Sequence, residues 1–259
     1  MAKKIGLALG AGSSKGFAHI GVLQELAAQG VPIDMIAGSS MGAIIGAIYS
    51  VGTDLEMLEK FILSLNMREY LDIQFPLSAG LIKGEKLQEL IRLFTHNKRF
   101  DETKLPFCCG AVDAENGKLD VLDTGYLHEA VRASMSIPAI FEPVNFNGRT
   151  YIDGGVLERV PSKCLRDRGA DVVIAVDVGY HGDAVDVSGM NAYQLMNRTI
   201  SIMQWEMAKF RCEEADVVLI PEVLFVKGRF QTDKAGDCIL EGRRVVREAM
   251  PRIRALIEG

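Results

Sequence analysis

The chain is poor in most of what would classify it quickly. Its five cysteines (Cys108, Cys109, Cys164, Cys212 and Cys238) are odd in number and none sits in a C-x-x-C spacing. Neither a disulfide framework nor a metal site is therefore expected, and the thiols read as free and mostly buried in a reducing compartment. No apolar run approaches the ~20 residues of a membrane-spanning helix. Positive charge is short as well: 29 Lys and Arg against 34 Asp and Glu leave a formal charge of -5, which argues against a nucleic-acid partner. Met1-Ala2-Lys3-Lys4 is a basic start, but the apolar stretch Ile5 to Leu9 is too short for a secretory leader, so a cytoplasmic protein is expected. Repeats, low-complexity tracts and linkers are missing. With 259 residues, 48% hydrophobic and 24% charged, a single globular domain over residues 1–259 is the expectation.

What is present is a strand-helix-strand-helix order at the N-terminal end. Ile5 to Leu9 is a short apolar run ending in glycine, as in a buried parallel strand. After the loop Gly10 to Gly16, Phe17, Ile20, Leu23 and Ala27 recur at helical spacing, and Gly30 stops that helix. A second strand is expected at Ile33 to Ala37, then a helix from Met41 to about Val51. Residues 53–100 look helical and less regular. Strands are expected at Pro106 to Val112, Leu119 to Leu122, Arg149 to Ile152, Asp171 to Val178 and Ala215 to Ile220. Asn116-Gly117 and Asn147-Gly148 supply hairpin turns. Helices are expected at Leu127 to Met135, Ala192 to Cys212 and from about Gly236. The pattern predicts an α/β fold, a three-layer α/β/α sandwich around a mainly parallel central sheet.

Between the second strand and its helix stands Gly38-Ser39-Ser40-Met41-Gly42, a G-x-S-x-G pattern. In a strand-to-helix setting its serine sits on a strained turn with the hydroxyl exposed, which makes Ser40 a candidate nucleophile. If the first two strands are neighbours, the Gly10 loop and the Ser40 turn face one crevice at the carboxyl edge of the sheet. A glycine-rich loop there leaves backbone N–H groups free for a developing oxyanion, and the N–H of Met41 is a further donor. The loop is not a dinucleotide turn: Lys15 stands where the third glycine belongs, and the acidic residue expected after the second strand is replaced by Gly38-Ser39. No Gly-Lys-Ser/Thr spells a P-loop either.

A serine needs a base. The four histidines are His19, His96, His128 and His181, and only His181, just after a strand, is well placed for a Ser-His-Asp triad. The other option is a carboxylate acting directly on Ser40. Asp153 and Asp177 both end strands, and spacing alone does not choose between them.

Four blocks of the sequence, in order, resemble the patatin-like phospholipases, in particular their compact bacterial members. They are Leu7 to Gly16 with His19 to Leu23; Gly38 to Gly42; Ala133-Ser134-Met135-Ser136-Ile137-Pro138 with Phe141 and Pro143; and Tyr151-Ile152-Asp153-Gly154-Gly155 leading to Val160-Pro161. The resemblance implies a serine acyl hydrolase of lipid esters, phospholipase A- or lysophospholipase-like. It implies Ser40 as nucleophile, Asp153 as its base in a dyad without histidine, and an oxyanion hole from Ala11, Gly12 and Ser13. Gly10, Lys15, Gly16, Gly38, Met41, Gly42, Gly154 and Gly155 support these residues. Ser13 and Ser14 precede Lys15 where many members have a longer glycine run and an arginine, and a lysine cannot reproduce arginine's bidentate fork. Neither cofactor nor metal is implied. The expected partner is a lipid or fatty-acyl ester, with peripheral contact at a membrane surface in keeping with it. Met57, Met67, Phe61, Leu63 and Phe75 are candidates for lining an acyl groove. Arg243, Arg244, Arg247, Arg252 and Arg254 on the last helix read as a solvated face. Two alternatives stay open: a lipid-binding or regulatory protein of the same fold, and an esterase using His181.

Overall fold

A computed structural model describes residues 3–72, 80, 82–179, 181–182, 184–211 and 214–259. Strand β1 (Ile5–Leu9) is buried along its whole length, as an apolar run without alternation requires. A 3-10 turn at Ser13–Phe17 follows and runs into helix α1 (Ala18–Ala28). Strand β2 (Met35–Gly38) pairs parallel to β1, Leu9 opposite Gly38, so the two loops expected to share a crevice do lie side by side. Helix α2 (Met41–Ser50) leaves directly from the serine turn. Helices α3 (Leu55–Ser64) and α4 (Glu85–Phe94) follow.

Strand β3 (Phe107–Asp113) forms a hairpin with β4 (Lys118–Leu122), and helix α5 (Leu127–Ser134) leads to the hairpin of β5 (Val144–Phe146) and β6 (Arg149–Asp153). Asn147 and Gly148 both take positive φ, 50° and 78°, as a tight two-residue turn demands. Helix α6 (Ser162–Asp167), strand β7 (Val172–Val176), helix α7 (Ala192–Arg211), strand β8 (Val217–Leu219) and helix α8 (Ala235–Glu258) complete the chain. Helix α6 has no counterpart in the sequence reading, because six residues are too few to show a helical period.

The sheet runs β5-β6-β3-β2-β1-β7-β8, with β4 on β3. It is parallel through β3, β2, β1, β7 and β8 and antiparallel among β3 to β6. Alternation sorts the strand residues into two cores. Ile5, Leu7, Leu9, Ile174 and Val176 join the larger core with α1, α2 and α8, whereas Ala8, Ala37, Cys108, Val173 and Ala175 join a smaller one under α6. On α8, Arg243 pairs with Glu59, Arg244 with Glu241 and Arg247 with Glu25. No helix of the described residues is long and apolar enough to cross a membrane.

One detail of register matters most. Cys109 of β3 pairs with Gly38 on one edge and Leu122 on the other. Ala111 pairs with Asp120 of β4 and with Asp153 of β6. Since β4 occupies one edge throughout, β2 and β6 share the other edge end to end. Their carboxyl ends converge from opposite directions on either side of Gly110. At the junction Gly154 is obligatory, because a Cβ there would lie 2.2 Å from the Gly110 carbonyl oxygen.

Candidate active site

The convergence of β2 and β6 brings Ser40 and Asp153 together. Ser40 sits between Gly38 and α2 with φ 53° and ψ -117°, a conformation costly for any residue with a side chain. It is held from several sides. The Ser40 N–H donates to Ser134 Oγ (3.1 Å), the Ser39 N–H donates to the Leu9 carbonyl (3.0 Å), and the Ser39 hydroxyl donates to the Glu158 carbonyl (3.0 Å). Helix α2 then starts under the end of β1. Only glycine fits at position 42, where a Cβ would come within 2.0 Å of the Leu9 carbonyl oxygen.

The Ser40 hydroxyl donates to Asp153 Oδ2 at 2.6 Å. The other carboxylate oxygen, Oδ1, accepts the Gly155 N–H at 2.7 Å, so the turn after β6 orients the acid. The Asp153 N–H donates to the Ser136 carbonyl (2.9 Å). Ser134 and Ser136 thus hold the serine and the aspartate respectively. Arg132 stiffens this segment through the Ser136 hydroxyl (2.7 Å) and the Glu142 carbonyl (3.1 Å). The Gly155 carbonyl in turn accepts from Gln204 of α7 (2.6 Å). No role is read from the sequence for Ser134, Ser136, Arg132 or Gln204; the third matching block signals the two serines, and nothing in the sequence signals Arg132 or Gln204. Asp153 is 5% exposed. Burial raises its pKa to about 6, against the pull of the Ser40 and Gly155 hydrogen bonds and of the nearby Arg229 charge.

The glycine-rich loop lies across from this pair. The Gly10 N–H donates to the Val176 carbonyl and the Ala11 N–H to the Arg159 carbonyl (2.8 Å), so Ala11, expected as an oxyanion donor, has its N–H committed to the scaffold. Gly12 and Ser13 N–H have no acceptor among the described residues, and neither does Met41 N–H at the start of α2. Ser13 takes a positive φ, 51°, like Ser40. Lys15 lies in the 3-10 turn, its N–H on the Gly12 carbonyl (3.2 Å), and Gly16 faces the Met41 side chain so closely that a Cβ would clash. Buried His19 donates its Nε2–H to the Gly10 carbonyl (2.8 Å). Burial drops its pKa to about 4, which keeps it a neutral fixture of the loop.

The remaining candidates lie elsewhere. His181 Nε2 is 3.2 Å from Asp177 Oδ2, and its ring stands edge-on to Trp205. Asp177 is buried, ion-paired with Arg159, and accepts the Gly179 N–H at 3.0 Å. Of the two strand-end carboxylates only Asp153 bonds to Ser40. Among the described residues no cluster of His, Cys, Asp or Glu is placed to hold a metal ion.

Ser40 opens into an apolar cavity of about 80 Å³. Ile44 and Ile48 of α2, Leu58 and Phe61 of α3, and Ile91 and Phe94 of α4 wall it, and polar groups enter only from Ser13, Ser14, Ser40 and Arg229. Of the residues expected to line a groove, Phe61 and Met67 do so. Met57 and Leu63 are on the outer face of α3, 49% and 54% exposed, because the inward stripe of that helix runs through Leu58, Phe61 and Ile62. Phe75 lies outside the described residues.

A family model described as patatin-like phospholipase matches residues 7–163. The chain is 31% identical over 181 residues to the lysophospholipase NTE1 of the yeast Meyerozyma guilliermondii, a match covering 68% of this chain and 12% of that protein. It is 33% identical over 201 residues to an NTE family protein of Mycobacterium tuberculosis, covering 76% of this chain and 56% of the relative. The chain thus spans little more than half of one relative and a small part of the other. Among solved structures, VipD from Legionella pneumophila superposes with TM-score 0.56 at 13% identity, covering 97% of this chain and 67% of that one. The type III effector ExoU gives 0.52 at 13% identity, covering 97% and 53%. These two share the fold. The chain belongs to the patatin-like phospholipase family.

Proposed function

We propose that this chain is a lipid acyl hydrolase that cleaves carboxylic esters, phospholipase A- or lysophospholipase-like, through a Ser40–Asp153 dyad. The observation that carries the reading is the 2.6 Å hydrogen bond between Ser40 Oγ and Asp153 Oδ2 at the head of an apolar cavity. Asp153 takes the hydroxyl proton as Oγ attacks the ester carbonyl carbon. The oxyanion falls to the N–H groups of Gly12, Ser13 and Met41 at the positive end of α2. Collapse breaks the ester C–O bond, and protonated Asp153 gives its proton to the departing alcohol oxygen. The same carboxylate then deprotonates a water that attacks the acyl-enzyme, and Ser40 recovers its proton as the fatty acid leaves. A carboxyl near pH 6 serves both directions, since it is ionised at neutral pH yet is a usable acid once loaded.

The apolar cavity takes the acyl chain, each buried methylene contributing about 0.8 kcal/mol. Exposed Leu195, Met196, Ile202 and Met203 of α7, the helix that reaches the site through Gln204, suit peripheral contact with a lipid surface. No observation favours the triad, because His181 is turned to Asp177. A fluorophosphonate probe tests the reading: labelling abolished by Ser40→Ala is expected. Folded protein that neither labels nor hydrolyses any acyl ester sinks it in favour of a binding protein. Comparison of the lipids consumed by wild type and Ser40→Ala then identifies the substrate.

A further inference from the structure

Two thiols meet in a part of the protein that this reaction does not use. On the sheet face turned away from the acyl cavity, Cys108 of β3 and Cys164 of α6 join the smaller core. Their Sγ atoms are 2.9 Å apart. A disulfide bond is about 2.05 Å long, so an approach of roughly 1 Å separates contact from a covalent link. The register of β3 places Cys109 on the opposite face, in the larger core, and Cys238 belongs to α8. Burial pushes both of those thiols up, Cys238 to about 12, which keeps them protonated and unreactive.

Cys164 is different. Its sulfur is in hydrogen-bond contact with Cys108 Sγ, and the Arg168 Nε–H donates to it at 3.4 Å. These two contacts hold Cys164 below the usual thiol value, whereas the contact with Cys164 and burial push Cys108 up. The Arg168 side chain is 39% exposed, so the outer sulfur of the pair lies next to a solvated group. An acidic thiolate beside a resolving thiol is the arrangement that reacts with peroxide and then closes.

We propose that Cys108 and Cys164 form a peroxide-reactive dithiol that closes to a reversible intramolecular disulfide. The Cys164 thiolate attacks one oxygen of a hydroperoxide. The O–O bond breaks, the other oxygen leaves as hydroxide or alkoxide and is protonated by water, and Cys164 becomes a sulfenic acid. The Cys108 thiol then gives up its proton and attacks the Cys164 sulfur. The S–O bond breaks, water departs, and the S–S bond forms. Two thiols lose two electrons and one peroxide gains them. The link joins β3 to α6, five residues beyond Arg159, whose carbonyl anchors the Ala11 N–H. This inference is independent of the hydrolase reading.

Hydrogen peroxide added to the reduced, folded full chain, followed by alkylation and mass spectrometry, tests it. The expected product carries two fewer alkyl groups than the reduced control, yields a Cys108–Cys164 linked peptide, and reverts with dithiothreitol. Cys108→Ser is expected to stop at a dimedone-reactive sulfenic acid on Cys164, and Cys109→Ser to leave the disulfide yield unchanged. An unchanged wild-type mass in millimolar peroxide overturns the proposal, and so does a link through Cys109, Cys212 or Cys238. The wild type itself carries the decisive readout, so a variant that folds poorly does not blunt the test.

Discussion

The carboxyl ends of β6 and β7 are near copies of one another. Each ends in a buried aspartate, Asp153 or Asp177, and each aspartate accepts the N–H of the glycine two residues on, Gly155 or Gly179. Their electrostatics are opposite. Burial raises Asp153 to about 6, whereas Asp177, though burial pushes it up too, is held below the usual carboxylate range by His181 and Arg159. The difference is the neighbour. Asp177 has a guanidinium in contact, and Asp153 has a hydroxyl in contact with Arg229 acting only from farther off. The same turn therefore builds a structural ion pair at one strand end and a proposed base at the other.

The comparison breaks most completely at Asp153. Asp153→Ala and Ser40→Ala are each expected to lower kcat/KM on an acyl ester at least about a thousandfold, the upper part of the range for losing a base or nucleophile. Full activity in Asp153→Ala removes the dyad. Next comes the ion pair. Arg159→Met leaves Asp177 charged and buried without its guanidinium, and a loss of about 3–5 kcal/mol in urea unfolding is expected. Adding Asp177→Asn should restore much of that loss if the unpaired charge is its cause.

A smaller effect has the opposite sign. The folded-state pKa of Asp153 lies above the unfolded value, so the native state binds the extra proton between about pH 4 and 6 and loses stability as pH rises through that window. Asp153→Asn removes that cost. It should stabilise the protein at pH 8 by up to about 3 kcal/mol and make no difference at pH 4, measured by thermal or urea unfolding. A finer test is the acid limb of kcat/KM, expected near pH 6. Arg229→Met should move it upward by less than about one unit, since a positive charge favours the carboxylate. The least change, within about threefold in kcat/KM, is expected for His181→Ala, because that ring stands on Asp177.

Much of this was legible in the sequence, for physical reasons. β1, β2 and α2 announce themselves by apolar runs and small residues, and G-x-S-x-G between them marks the turn at Ser40. Both hairpin turns follow from Asn-Gly. The choice between Asp153 and Asp177 was not legible from spacing, since both are strand-end aspartates with the same local turn. It depends on which strand shares an edge of β3 with β2, an arrangement that brings together Ser40 and Asp153, 113 positions apart. Ser134 and Ser136 were visible only as part of a resemblance, because their roles run through one hydroxyl and one backbone carbonyl. The commitment of the Ala11 N–H to Arg159 was equally invisible, being a loop-to-loop contact that no local pattern encodes. Met57 and Leu63 were misplaced because hydrophobicity does not tell which stripe of a short helix turns inward.

The end-to-end meeting of β2 and β6 along one edge of β3 also sets an order in time. Ser40 and its local turn belong to the first 50 residues, but Asp153 arrives only when β6 has docked by a long-range pairing, the kind that closes slowly. A partly folded chain thus carries the serine without its proposed base. The proposed hydrolytic activity then becomes a property of the finished sheet, and in a refolding experiment it should return after the helical signal, with the last strand pairing.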